Sequence, residues 1–399
     1  TGAEPFEADI GVAGDKIALI DKNSKFKIQN SKKFIDAKGL AVAPGFIDTH
    51  AHSEFTLLAD PRAEGKISQG ITTEINGNCG LSAAPLYGEA FEHREKDLKE
   101  LGIKERWSTF PEYFRILEGR GIALNFVTLA GHGNIRASVI GYKDKKPTIA
   151  ELKKMRALLQ KTIDAGAIGL STGLIYPPGI YSDTDELIEL CKALSQKPRT
   201  SISNLIYTSH MRSEGKGLIE SIKEIIRIGK EANIKVHISH IKTSGKENWD
   251  KIDEAISLIN SARKRGLKVT CDRYPYTASS TDLDTILPSW TYEGGAEEEL
   301  RRLKSSQVLE KIKKEILHGH PDNDYWTKVS VSSVSSQKNK WMEGKTLSYI
   351  SRKINKSPVD ALFKILIEEK LRAGAIFSTM SEDNLRRFLS LPYAMIGSD

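Results

Sequence analysis

The chain has 399 residues, room for one large domain or two smaller ones, with an ordinary globular composition and a net charge of +7. Its basic residues are mostly lysines dispersed along helical stretches, which argues against a nucleic-acid surface, and no apolar stretch approaches the ~18 residues of a membrane span. Three scattered cysteines, Cys79, Cys191 and Cys271, make no disulfide framework and fit a reducing, cytoplasmic setting.

Residues 8–12, 16–20 and 33–37 read as short strands, the first two joined by a Gly14-Asp15 turn, and residues 1–40 are expected to be part of a small β module. From residue 41 the rhythm changes. Apolar or β-branched runs at 41–49, 70–75, 122–130, 167–172, 203–209, 235–241, 267–272 and 393–397 alternate with helical patterns such as 149–164, 184–195, 215–231 and 250–265. Apolar runs separated by amphipathic helices are parallel strands buried on both faces, and eight of them predict a (β/α)8 TIM-like barrel over residues 41–399. The long stretch between the seventh and eighth runs, with charged helices at 296–318 and 358–371 and a strand-like piece at 374–379, predicts an insertion over about 290–345 at the barrel mouth. The chain starts at Thr1 and stops on the strand-like run Ala394–Asp399 without a covering helix, so a fragment of a longer protein is expected.

Chemistry-bearing residues sit where these strands end. The first run closes on His50-Ala51-His52, and strand alternation puts both imidazoles on one face about 6.5 Å apart. Cys79 follows the second run, His210 ends the fifth, His240 the sixth, and Asp399 the eighth. In a (β/α)8 barrel all strand C-termini open on one face, so these six residues converge. Thiolate, imidazole and carboxylate are the ligands zinc takes. His132 is expected to pack behind the site; His93, His318 and His320 to be solvated; Cys191 and Cys271 to lie in the core.

The stretch Pro44-Gly45-Phe46-Ile47-Asp48-Thr49-His50-Ala51-His52, with histidines ending runs five and six and a final Ser398-Asp399, resembles the amidohydrolase superfamily. Asn76-Gly77-Asn78-Cys79-Gly80, the 169–179 stretch from Gly169 to Gly179, and Asp272-Arg273-Tyr274-Pro275-Tyr276 resemble the D-aminoacylases (N-acyl-D-amino-acid deacylases). The likeness covers residues 8–399 apart from parts of the insertion, and it implies that residues 1–40 are the N-terminal part of a small β-sandwich module beside the barrel. Run four has no lysine, unlike the superfamily members that bridge two metals with a carboxylated lysine there.

The resemblance implies a tight Zn2+ site at Cys79, His210 and His240 and a second, weaker site at His50, His52 and Asp399. It also implies that Asp399 acts as catalytic base and acid. Lys242, on the same strand face as His240, resembles the family's lysine for the substrate carboxylate; Tyr274 and Ser280 match further binding positions, and Arg273 is a fourth candidate. The implied reaction is zinc-dependent hydrolysis of a small-molecule N-acyl-D-amino acid to a carboxylate and a free D-amino acid. Hydrolysis of a cyclic amide or dipeptide, and a non-catalytic scaffold that keeps the barrel, are the alternatives. Neither oligomeric state nor side-chain preference is readable.

Overall fold

Helix starts are written into the sequence as reciprocal caps. Thr109 accepts from the Glu112 backbone while the Glu112 side chain accepts from the Thr109 N–H, and Thr148 and Glu151 repeat the arrangement. In the Leu218–Ala232 helix, Leu218, Ile222, Ile225, Gly229 and Ala232 fall on one buried stripe, as an amphipathic cover for a sheet requires.

The computed structural model describes residues 4–22, 32–195 and 204–399. The chain divides into two compact units, Thr1–Pro44 and Gly45–Asp399. In the first, β1 (Asp9–Ala13) and β2 (Lys16–Asp21) form an antiparallel hairpin whose turn carries Gly14 at φ 65°. Residues 33–37, expected as a third strand, form none: the Phe34-Ile35 pair carries the right residue types, but among the described residues no neighbour offers a ladder. Residues 1–3 and 23–31 of the expected module, and residue 203 of the fifth run, lie outside the described residues.

The second unit holds the eight runs. The first seven are β3 (Phe46–Asp48), β4 (Ile71–Asn76), the paired segments β5 (Asn125–Thr128) and β6 (Ala130–Gly131), β7 (Gly169–Gly173), β8 (Ile206–His210), β9 (Lys235–Ile238) and β10 (Val269–Arg273). The chain then leaves through β11 (Ser279–Asp282), β12 (Val329–Val334) and β13 (Ala373–Phe377) and returns as β14 (Ala394–Ile396). The ladders are parallel, in the orders β3-β4-β5 and β6-β7-β8-β9-β10-β14. β5 and β6 are one run interrupted at Leu129, whose N–H donates to Asn76 O of β4. At the other seam the Thr49 N–H donates to Ile396 O at 3.2 Å and the Asp399 N–H to His50 O at 2.8 Å. These bonds join β14 to β3 and bring the eight runs into a ring, the expected barrel.

The excursion extends further than 290–345 at both ends. β11, β12 and β13 form an antiparallel sheet spanning 279–377, with a core of its own that includes Leu283, Trp326, Val331, Leu347 and Leu362. Charge marked its helices in the sequence, whereas its serine-rich strands, such as Val329-Ser330-Val331-Ser332-Ser333-Val334, carry little apolar signal. Among the described residues no helix is long and apolar enough to cross a membrane.

Candidate metal centre

A cavity of about 2260 Å³ opens at the C-terminal ends of the barrel strands and is lined by His52, Cys79, His210, His240 and Asp399 on one side and by Ser280, Tyr292 and Glu299 of the excursion on the other. Barrel directionality explains the first set: parallel strands deliver every C-terminal residue to the same face. Five of the six expected ligands line the cavity directly, and the sixth, His50, is fully buried beneath them.

Cys79 is the hub. Its Sγ lies 3.4 Å from His50 Nε2, 3.5 Å from His240 Nε2 and 3.7 Å from His210 Nδ1. Asp399 Oδ1 stands 3.4 Å from His50 Nε2 and 3.5 Å from His52 Nε2. Two donor sets result, Cys79 with His210 and His240, and Cys79 with His50, His52 and Asp399, each with its ligand atoms within 4.8 Å of one another. Around a tetrahedral zinc with N at about 2.05 Å and S at about 2.3 Å, an S···N edge is about 3.6 Å, so the sulfur–imidazole spacings fit that ion.

One tautomer also fits. His50 Nδ1 donates to Asp272 Oδ2 at 3.0 Å, which turns its Nε2 lone pair towards the sulfur. His240 Nδ1 accepts from Lys242 Nζ at 2.8 Å and lies 2.7 Å from Glu214 Oε1. His210 Nε2 is buried without a hydrogen-bond partner among the described residues, so its ring is held by packing, notably against Tyr176 at a centroid distance of 5.0 Å. Tyr176 in turn shares a hydrogen bond with Thr281 Oγ1 at 3.0 Å, tying the barrel mouth to β11.

Backbone geometry concentrates here. Cys79, His240 and Asp399 all sit in the left-handed region, at φ 52°, 35° and 62°. Such conformations are disfavoured in non-glycine residues and persist where the surroundings over-determine them. For Cys79 the surroundings are a close backbone approach: a Cβ on Gly173 would lie 2.1 Å from Cys79 O, and Gly80, at φ 75°, packs against the Gly173 N–H. At the β3–β14 seam Asp48 Oδ1 accepts from the backbone N–H groups of both His50 and Ser398, which sets Asp399 opposite the histidines.

Burial pushes the Cys79 thiol up, but the charges of His50 and His240 and the hydrogen bonds of His210 and His240 outweigh it and hold the thiol well below its ordinary range. Burial likewise raises the Asp399 carboxyl, and His240, His52 and His50 overcome it, keeping the group far below the usual carboxylate range. Burial and Lys242 lower His240, while Glu214, Asp399 and Cys79 carry it up to about 9. A cation binding such a set displaces the protons its ligand atoms carry.

The four expected substrate-binding residues divide. Tyr274 and Ser280 line the cavity, and the Tyr274 hydroxyl is buried with no partner among the described residues. Lys242 lines it too, but its Nζ already meets Glu214 Oε1 at 2.5 Å. Arg273 is buried outside the cavity lining, donates to Tyr276 O at 2.8 Å, and sets its guanidinium 4.0 Å from the Tyr274 ring centre, while its Nε and Nη1 have no hydrogen-bond partner among the described residues. His320 also departs from expectation, stacking on Tyr325 at 3.7 Å instead of standing free in solvent. His132 is buried on Glu186, and Cys191 and Cys271 are fully buried.

Glu214 and Asp272 were not singled out from the sequence, and His237, which donates from Nε2 to Asp272 at 2.6 Å, was not either. Strand alternation could have found His237 and Asp272, both inside apolar runs where a polar residue needs a partner. Glu214, in the loop after β8, left no such signal.

Residues 33–293 match the amidohydrolase family. A D-aminoacylase of Alcaligenes xylosoxydans xylosoxydans is 34% identical over 392 residues, covering 98% of this chain and 70% of that protein. The crystal structure of N-acyl-D-glutamate deacylase from Bordetella bronchiseptica, complexed with zinc and a phosphonate mimic of the tetrahedral intermediate, is similar with a TM-score of 0.81 at 29% identity, over 100% of this chain and 73% of that one. A D-aminoacylase solved to define its binuclear metal centre, with one-metal activation and second-metal attenuation, gives a TM-score of 0.76 at 32% identity over 98% of this chain and 72% of that one. Convergence of a strand-end cysteine with the barrel histidines, in a fold shared along almost its whole length with these enzymes, places the chain in the amidohydrolase family and, within it, among the D-aminoacylases.

Proposed function

We propose that this chain is a zinc-dependent hydrolase that cleaves the linear amide bond of N-acyl-D-amino acids, releasing a carboxylate and a free D-amino acid. The observation that carries this reading is the position of the Cys79 sulfur, 3.4–3.7 Å from three imidazole nitrogens beneath a cavity large enough for a small acylated amino acid. Cys79, His210 and His240 would hold the tighter zinc, and His50, His52 and Asp399 a weaker second one. When bound, zinc polarises the amide carbonyl and makes water acidic enough to attack near neutral pH.

The protein's own groups complete the reaction. Asp399, a carboxylate opposite His50 and His52 and partly open to the cavity, accepts the attacking water's proton and delivers it to the leaving nitrogen, the two-way role of one positioned base. The Tyr274 hydroxyl and the Ser280 side chain bind the carboxylate of the substrate, and Lys242 adds its charge as far as Glu214 leaves it free. The excursion supplies the far wall of the cavity. Three free, buried cysteines suit a reducing compartment, and we place the enzyme in the cytoplasm, acting on a small molecule and not on nucleic acid.

The test is hydrolysis of paired N-acetyl-D- and N-acetyl-L-amino acids and of hydantoin, with zinc measured in the same samples. Turnover of the D-series that tracks zinc content is expected. Turnover confined to hydantoin or to the L-series would overturn the substrate assignment.

A further inference from the structure

We propose that Asp272 is a positioning residue that ties the two halves of the metal centre together. It rests on the metal-centre reading above and assigns a role to a side chain that touches no substrate.

Asp272 is fully buried at the end of β10 and takes three donors on two oxygens. Oδ2 accepts from His50 Nδ1 at 3.0 Å and from His237 Nε2 at 2.6 Å; Oδ1 accepts from the backbone N–H of His240 at 2.7 Å. Its own carbonyl accepts from the Ile241 N–H at 3.0 Å. His50 belongs to one donor set and His240 to the other, so one carboxylate orients an imidazole of the first and the backbone of the second.

Each bond has a specific consequence. Donation from His50 Nδ1 fixes the tautomer whose Nε2 faces Cys79. The bond to the His240 N–H holds a residue at φ 35°, a conformation a non-glycine residue keeps only under restraint. His237 sets the carboxylate's own angle: the Thr270 hydroxyl donates to its Nδ1 at 2.8 Å, leaving Nε2–H for Asp272. The half-buried Thr270 and the buried His237 and Asp272 form a line leading to both donor sets.

The chemistry makes Asp272→Asn a discriminating change. Three donors converge, and an asparagine offers one acceptor oxygen and an NH2 that must face at least one of them. Metal-free wild type and D272N are titrated with zinc against a chromophoric chelator. With wild-type circular dichroism, D272N is expected to bind about 10- to 100-fold more weakly in both binding steps. Equal affinities in folded D272N, or weakening confined to one step, overturns the proposal. Should D272N fail to fold, the His50 ring in zinc-loaded wild type decides by long-range 1H–15N correlation: a proton on Nδ1 is expected, and one on Nε2 overturns the assignment. Wild type that takes up no zinc would instead contradict the metal-centre reading itself.

Discussion

Replacing Gly173 by alanine tests how the barrel backbone delivers the metal centre. The new Cβ would lie 2.1 Å from Cys79 O and 2.9 Å from the Tyr176 ring, where ordinary contact begins at 3.4 Å. The nearer obstacle is backbone, so no rotamer relieves it, and the Cys79 loop must retreat by about 1 Å in a close-packed interior. Cys79 serves both donor sets, so that retreat opens every S···N spacing of the centre at once. Overpacking of this kind costs about 1–3 kcal/mol, small beside the 5–15 kcal/mol typical of a domain, so G173A folds. A misplacement near 1 Å at a reacting centre costs about 100-fold, and kcat/KM on an N-acetyl-D-amino acid is expected to fall by that order, with weaker zinc binding in a chelator competition. Gly119 supplies the control. It is exposed in the Phe110–Arg120 helix with nothing within 4 Å of its added Cβ, and G119A is expected to raise unfolding free energy by about 0.5–1 kcal/mol without touching activity. If G173A kept both zinc affinity and kcat/KM within about twofold of wild type, a shift below 0.5 kcal/mol, the backbone argument would be refuted.

Asp399→Asn is expected to keep zinc in the Cys79–His210–His240 set while kcat falls about 10²–10⁴-fold; retained turnover would sink its assignment as base. Tyr274→Phe removes a buried hydroxyl in the cavity wall and is expected to raise KM for carboxylate-bearing substrates about tenfold or more, with kcat nearly unchanged. Burial, reinforced by Asp284, raises Glu299 from an ordinary value near 4.5 to about 9. The folded protein thus binds a proton that the unfolded chain has released, and its contribution to stability declines as pH rises across that window. Urea unfolding at pH 6 and pH 9 should show a smaller loss for Glu299→Gln than for wild type, and equal losses would contradict the assignment.

The barrel was legible because its strands are buried on both faces and read as continuous apolar runs, β7 being buried at all five positions. The convergence of His50, Cys79, His210, His240 and Asp399 was legible because parallel strands end on one face, so they could be brought together without knowing any distance. What stayed hidden depends on side-chain partnership. Arg273 and Lys242 are both cations near the site in sequence, yet Arg273 lies behind Tyr274 and donates to the Tyr276 carbonyl, and Lys242 is paired with a glutamate from another strand's loop. Sharing of Cys79 between the two donor sets was equally invisible, since it depends on the sulfur reaching His50 as closely as His240. Of the excursion's sheet only β13 was legible, as the strand-like piece at 374–379; β11 and β12 were missed because serine-rich strands protected by their own small core do not need long apolar runs.

The central claim is a zinc held by one thiolate and two imidazoles at the end of the barrel. X-ray absorption at the zinc edge, on protein loaded with one equivalent, tests it most directly. The account predicts one sulfur at about 2.3 Å and nitrogen scatterers at about 2.0–2.1 Å, with the sulfur lost in Cys79→Ser. A first shell of nitrogen and oxygen alone in the unaltered protein would contradict it.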